Sequence, residues 1–131
     1  GSACSLLKEV RPMFTDSVDL HAIGKTMIET FDTMIERTIA YKERHGWDSI
    51  YDLQYNDMMR DPIGEMQKLY RHFGEPFSAQ AEAAMTAFMK NNQQGKHGRH
   101  SYSVEDYGLT REHIRAHYKD YCERFSIPVK A

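Results

Sequence analysis

The spacing of apolar and polar residues predicts one very long helix near the start of the chain. From Leu20 to His45, apolar residues recur every three or four positions until His45-Gly46 ends the run, which is the spacing of one face of an α-helix. At 1.5 Å per residue, such a helix would be about 39 Å long. Because that length exceeds the width of a small domain, we expect the helix to lean on a sheet or on a partner.

Shorter helices are predicted from residues that cap helix ends. Asp61 followed by Pro62 should begin one helix, which Gly74 ends, and Ser78 and Thr110 should begin two more. A further short helix is expected from Ser5 to Val10, before Pro12. The residues expected to face inward in the last two capped helices are Ala81, Ala84, Met85 and Phe88, and then Ile114, Tyr118, Tyr121 and Phe125.

A single short β-strand is predicted over residues 49–55. Ile50, Leu53 and Tyr55 stand among β-favouring neighbours there, and Asn56 and Asp57 end the run. A strand without neighbours leaves backbone N–H and C=O groups unpaired. We therefore expect a homodimer through strand 49–55 and helix 20–45, with an unrecognised hairpin or a short exposed strand as the alternatives.

Length and composition indicate one compact domain spanning residues 1–131, and the predicted elements make it mainly α. The chain has 131 residues and carries 17 basic against 19 acidic residues. It is therefore nearly neutral and has no large electrostatic field that would attract nucleic acid or a membrane. Cys4 and Cys122 lie far apart and form no metal-binding or redox spacing. Without a secretory signal segment, two reduced thiols in the cytoplasm are the simplest expectation.

A basic, glycine-containing segment follows the helix that Ser78 begins. Between Glu82 and Glu105 there is no acidic residue, whereas Lys96 and Arg99 carry positive charge and Gly95 and Gly98 allow sharp turns. A guanidinium, an ammonium and free backbone amides are the groups that hold a phosphate. The alternative is a solvated connection between two helices.

Metal binding is a rival chemistry for the histidines. His97 and His100 form a His-x-x-His pair, and His113 and His117 are one helical turn apart. Ile114 stands where a metalloprotease helix would carry its glutamate. A solvated helix face explains the second pair better, and no metal site is predicted.

Four segments, in the same order along the chain, resemble those of sulfotransferases. The stretch QYNDMMRDPIGEMQKLYRHFG is similar to the family's Tyr-Glu-Asp-Leu segment followed by Asp-Pro, and GSACSLL to the end of its Arg-Asp-Pro element. The stretch FGEPFS resembles the link Phe-Leu-Gly-Leu-Pro-Phe, and NNQQGKHGRHSYSVEDYGLT resembles a block of bacterial sulfotransferase-like proteins. The resemblance covers most of the chain.

The resemblance implies the helical C-terminal part of a P-loop-like α/β fold, with one short strand and a long helix. The complete fold would transfer a sulfuryl group from 3′-phosphoadenosine 5′-phosphosulfate to a hydroxyl or amine. The donor-binding residues carried over are Ser2 for the 3′-phosphate, with Ser5 as the near alternative, and Tyr55, Lys96, Gly98 and Arg99. Asn56 stands where the family usually has glutamate, so Asp57 is the matching acidic position.

The family's phosphate loop has no counterpart among the eight glycines of this sequence. We therefore expect the chain to be inactive alone, whether it is a natural fragment, a standalone gene for the half-fold, or a truncated product. The alternative function is a non-catalytic helical module for self-association or protein interaction.

Overall fold

The computed structural model of the protein describes residues 1–92 and 102–129. Two compact units are found along the chain: unit 1 comprises Gly1–Trp47 and His100–Ala131, and unit 2 comprises Asp48–Arg99. The predicted single domain over residues 1–131 stays a prediction. None of the helices in the described ranges is both long enough and apolar enough to cross a bilayer.

Unit 1 contains four α-helices among its described residues. They are α1 (Ser2–Val10), α2 (Leu20–His45), α6 (Arg111–His117) and α7 (Lys119–Arg124). Short 3-10 turns follow α1 at Arg11–Met13 and precede α6 at Glu105–Tyr107. The long helix predicted from Leu20 to His45 is thus confirmed, whereas the single helix predicted after Thr110 is interrupted at Tyr118.

The core of unit 1 is where α1 and the turn Glu105–Tyr107 meet α2. Cys4, Ile23 and Tyr107 are its buried members, and Leu7, Val18, Leu20 and Met27 pack around them. Gly24 permits the contact, because a Cβ at this position would lie 2.1 Å from the carbonyl oxygen of Tyr107. After the turn, Gly108 adopts a left-handed conformation with φ of 67°, which redirects the chain toward α6.

A second cluster joins the other end of α2 to α7. Lys42 is only 1% exposed, and its Nζ donates to the carbonyl oxygen of Trp47 at 3.1 Å. The same ammonium lies 5.5 Å from the ring centroid of Trp47 and 5.9 Å from that of Phe125, within reach of a cation–π attraction. Arg124 stacks over Trp47 and donates to Glu43 at 3.1 Å.

Unit 2 contains three α-helices among its described residues: α3 (Tyr55–Arg60), α4 (Pro62–His72) and α5 (Ala79–Asn91). The predicted caps are present, since Asp61 accepts from the amide of Gly64 at 2.9 Å and Ser78 accepts from that of Ala81 at 3.1 Å. Gly74, with φ of 71°, lies just beyond α4. Its amide and that of Glu75 bond back to Arg71 and Tyr70, which closes the helix end.

The strand predicted over residues 49–55 is wrong. The described residues contain no strand, and Tyr55 is the first residue of α3 instead. Asn56 and Asp57, interpreted as breaking a strand, lie inside that helix. Within the described part of unit 2, no neighbouring strand supplies the backbone partners that a strand requires.

Phe88 is a second departure from the predicted pattern. It was expected to face inward from α5, yet it is 63% exposed. Ala84, expected on the same inward face, is exposed as well. Helical spacing alone shows which residues share a face, but a face is buried only where another element covers it. The inward residues of α6 and α7 are, by contrast, all partly buried as expected.

The contact between Gly24 and Tyr107 gives a test of the fold. Gly24→Ala should lower the free energy of unfolding by about 1–3 kcal/mol, because the added methyl group overpacks the contact. Urea denaturation followed by circular dichroism measures this.

The matched control is Ala40→Gly on the exposed face of the same helix. It should cost about 1 kcal/mol through helix propensity alone. Since propensity alone favours alanine at position 24, a Gly24→Ala protein about 1 kcal/mol more stable than the parent would contradict the close approach.

Candidate functional site

The N-terminal end of α1 presents the predicted residue Ser2. Ser2 is exposed and is the first residue of the helix, and Gly1 precedes it without a side-chain cap. The Ser5 amide donates to the carbonyl oxygen of Gly1 at 2.9 Å. The amides before Ser5 have no acceptor within the helix. The first turn contains no acidic residue, so the helix dipole and these amides together favour an anion here.

Tyr102 lies against this end of α1. A Cβ built on Gly1 would be 2.3 Å from the Tyr102 ring and 3.3 Å from Cγ1 of Val104. The backbone of Gly1 therefore packs directly on the tyrosine. Tyr102 thus lies beside the helix end that carries Ser2.

Three predicted site residues lie outside the described residues. They are Lys96, Gly98 and Arg99. Their contribution to an anion site stays a prediction from the sequence.

Tyr55 belongs to unit 2 and is 67% exposed. Its position at the start of α3 leaves the ring accessible, so the alternative that it is a core aromatic is not supported by its surroundings. Asp57, the acidic position that follows, pairs with Arg60 at 2.6 Å on the same helix. Arg60 thus offsets the negative charge of Asp57 close to Tyr55.

A buried carboxylate fixes the segment that leads to Tyr55. Glu65 on α4 is 5% exposed; its Oε1 lies 2.5 Å from Nζ of Lys68, and its Oε2 accepts from the hydroxyl of Tyr51 at 3.4 Å. Burial, followed by the charge and hydrogen bond of Glu65, raises the pKa of Tyr51. The hydrogen bond and charge of the same carboxylate raise the pKa of Lys68.

His72 provides the second tie to α4. Its Nε2 lies 2.6 Å from the carbonyl oxygen of Asp48, and its ring packs on Tyr51 with centroids 5.2 Å apart. The chain from Asp48 to Tyr51 is thus held at two points on one helix. Tyr55 follows four residues later.

The histidines of α6 take part in packing rather than in a cluster of metal ligands. His117 donates from Nε2 to Asp32 on α2, at 2.8 Å to one carboxylate oxygen and 3.0 Å to the other. Burial and the neighbouring Asp32 raise the pKa of Tyr118 to about 12. His113 stacks on His117 with centroids 6.0 Å apart. Within residues 1–92 and 102–129, no three ligating side chains come together in a way that could hold a metal ion.

Sequence reasoning did not identify the roles of Glu65 and Tyr102. The three-residue spacing from Glu65 to Lys68 is typical of an ion pair on one face of a helix. The burial of the Glu65 carboxylate beside Tyr51 depends on tertiary packing, which the spacing does not show. No local pattern signals the contact of Tyr102 with α1, because about a hundred residues separate the two.

Two comparisons with known proteins bear on this site. A sequence model described as "Sulfotransferase family" matches residues 1–79, which is more than half of the chain. The chain belongs to the sulfotransferase family. This membership confirms the resemblance inferred from the four sequence segments.

The fold is also similar to that of a solved sulfotransferase. The crystal structure of sulfotransferase STF9 from Mycobacterium avium matches with a TM-score of 0.83 and 26% sequence identity. The match covers 99% of this chain and 34% of that chain. The chain thus spans about a third of the length of STF9. The curated proteins contain no match to the sequence.

The buried carboxylate gives a test of the geometry around Tyr55. Glu65→Gln should lower the pKa of Tyr51 part of the way toward the ordinary tyrosine value, because two causes that raise it are removed while burial remains. The pH titration of the ¹³Cζ signal of Tyr51 measures this shift.

Glu82→Gln is the control, because Glu82 is an exposed carboxylate of the same unit. It should leave the titration of Tyr51 unchanged. Equal titration curves for the parent and Glu65→Gln would show that Glu65 does not contact the phenol.

Proposed function

We propose that the chain forms part of a sulfotransferase that uses 3′-phosphoadenosine 5′-phosphosulfate, and that it holds the donor's 3′-phosphate at the N-terminal end of α1. The observation that carries this proposal is the exposed, uncapped first turn of α1, led by Ser2, with no acidic residue in it. Family membership makes a phosphate the expected anion.

The residues present suit a phosphate group. The hydroxyl of Ser2 and the first amides of α1 are hydrogen-bond donors at the positive end of a helix dipole. Tyr102, packed on Gly1, is positioned at the edge of the same surface. Lys96 and Arg99 lie outside the described residues, and the sequence alone predicts that they add positive charge for the phosphate.

Sulfuryl transfer joins the acceptor oxygen or nitrogen to sulfur as the bond from sulfur to the donor's phosphate breaks, and the acceptor releases a proton. Holding the 3′-phosphate orients the donor for this step and does not itself stabilise the bond that breaks. We therefore propose that the chain alone is inactive. Its cytoplasmic location also stays a prediction.

Nucleotide binding tests the proposal. Adenosine 3′,5′-bisphosphate should raise the melting temperature, because a ligand that binds only the folded state stabilises it by RT ln(1 + [L]/Kd). Ser2→Pro should remove most of the increase, since proline suits the first helical position but lacks the hydroxyl and the N–H. Arg99→Ala should do the same if the basic segment contributes.

Ser5→Ala is the matched control on α1. If Ser5→Ala lost the nucleotide-induced increase in melting temperature and Ser2→Pro kept it, Ser5 rather than Ser2 would be the residue that holds the phosphate. No increase in any protein at millimolar nucleotide would contradict donor binding.

A second candidate function is self-association through α2. Phe31, Met34 and Tyr41 lie along this helix and are 41%, 56% and 48% exposed, which favours an interaction face. The predicted homodimer through helix 20–45 stays a proposal on this basis. The part of that prediction that involved strand 49–55 is withdrawn, because the segment is not a strand.

Light scattering tests the dimer. The parent should have a mass near twice 15.3 kDa, and Met34→Glu should have the mass of a single chain because a charge would be buried in the interface. Met13→Glu, on an exposed residue outside α2, should leave the dimer intact. A monomeric parent at high concentration would rule out self-association.

A further inference from the structure

A cleft in unit 1 lies between α2, α6 and the chain that leads into α6. It has a volume of about 340 Å³. The side chains that bring polar or charged groups to it are His21, Lys25, Glu29 and His113. None of the described residues that line the cleft belongs to the proposed phosphate site, so the cleft is a separate feature of the same unit.

The two histidines of this cleft are available to a ligand. His117, one turn after His113, bonds to Asp32 on α2. By contrast, within the described parts of the chain no hydrogen bond engages the ring of His21 or that of His113. Each ring therefore keeps an N–H donor for a ligand, and a second donor when it is protonated.

Packing holds both rings in place. The ring of His21 lies against the backbone of Gly108, since a Cβ on that glycine would be 3.1 Å from the ring's Cγ. The ring of His113 stacks on that of His117 with centroids 6.0 Å apart, and the bond to Asp32 fixes His117 in turn. A ligand would thus meet two donors that are already oriented, which lowers the entropic cost of binding.

The charges of the lining favour an anion. Lys25 lies 3.9 Å from Glu29, and their side chains are 80% and 64% exposed. Because solvent weakens such a pair, Glu29 offsets the ammonium charge only in part. The two imidazoles add positive charge when they are protonated. With both protonated, the described lining has three cationic groups and one carboxylate.

The lining also has an apolar part. Ile28 on α2 and Leu109 just before α6 are half-buried. An inorganic anion would leave these side chains in contact with water, whereas an organic anion would cover them and gain from their burial. The volume of the cleft lies within the roughly 300–1,000 Å³ of small-molecule sites. A small ligand with one anionic group and one apolar group therefore suits it.

We propose that this cleft binds a small organic carboxylate. The carboxylate accepts hydrogen bonds from His21, His113 and Lys25, and the apolar body rests on Ile28 and Leu109. This site goes beyond the proposed sulfotransferase function and does not depend on it, because neither the nucleotide donor nor turnover is involved.

Histidine ring and methyl signals test the proposal in the full chain. The probe is benzoate, which carries one carboxylate on a small apolar ring, titrated at about pH 6, where histidine is commonly protonated in part. The ring signals of His21 and His113 and the methyl signals of Ile28 and Leu109 should shift and saturate together. The ring signal of His45, at the other end of α2, should not move.

Charge variants give a second readout with opposite signs. Lys25→Gln should weaken benzoate binding about two- to fivefold, because one exposed charge contact is lost. Glu29→Gln should tighten binding by a similar factor, because a carboxylate that repels the ligand is removed. The matched controls are Lys119→Gln and Glu123→Gln, which alter a similarly exposed pair 3.8 Å apart outside the cleft. Both controls should bind benzoate as the parent does.

Uncharged and inorganic ligands complete the test. Benzyl alcohol should bind at least about tenfold more weakly than benzoate, because it lacks the charge that strengthens the hydrogen bonds. Inorganic phosphate should move the two histidine ring signals but not the methyl signals of Ile28 and Leu109.

Equal affinity for benzyl alcohol and benzoate would overturn the proposal, as would unmoved ring signals of His21 and His113. Control variants that change binding as much as Lys25→Gln would also overturn it. Benzoate shifts confined to the amides of Ser2 and Ala3 would place the anion at α1 and contradict this second site. Failure of nucleotide binding with intact benzoate binding would remove the proposed function and leave this site in place.

Discussion

The close approach of the Tyr107 backbone to Gly24 is the contact on which unit 1 depends. Gly24 lies in the first two turns of α2, and its missing Cβ lets the turn Glu105–Tyr107 rest directly on that helix. Ile23 beside it is fully buried, and α1 packs on the same region through Cys4. One glycine thus allows segments from the two ends of the chain to share a core.

This contact also brings Tyr102 to the N-terminal end of α1. Only a few residues separate Tyr102 from the turn at Glu105, so anchoring the turn on α2 limits where Tyr102 can lie. Farther along α2, the bond from His117 to Asp32 and that from Arg124 to Glu43 hold α6 and α7. The proposed phosphate site therefore depends on core packing as well as on Ser2.

The helices could be predicted from the sequence because their signals are local. Asp61, Ser78 and Thr110 cap the helices that they were expected to begin, and α2 has the predicted bounds. The strand over 49–55 failed because pairing is not local: β-favouring residues there meet no second strand in the described chain. The segment is instead held by Glu65 and His72 on α4. The exposure of Phe88 is a similar case, since spacing cannot show whether another element covers a face.

The candidate site was predictable to the extent that motifs identify it. Family resemblance selected Ser2 and Tyr55, and both are exposed at the first positions of helices. The family resemblance could not predict that Tyr102 packs on Gly1, because about a hundred residues separate the two in the sequence.

Amide chemical shifts on titration with adenosine 3′,5′-bisphosphate test the central claim most directly. The account predicts that the largest shifts occur at Ser2, Ala3 and Cys4, accompanied by Tyr102, and that they are lost in Gly24→Ala protein that remains folded. Because salt screens the attraction between the anionic nucleotide and its site, the shifts at a given nucleotide concentration should become smaller as ionic strength rises. Shifts confined to unit 2, or none at millimolar nucleotide, would contradict it.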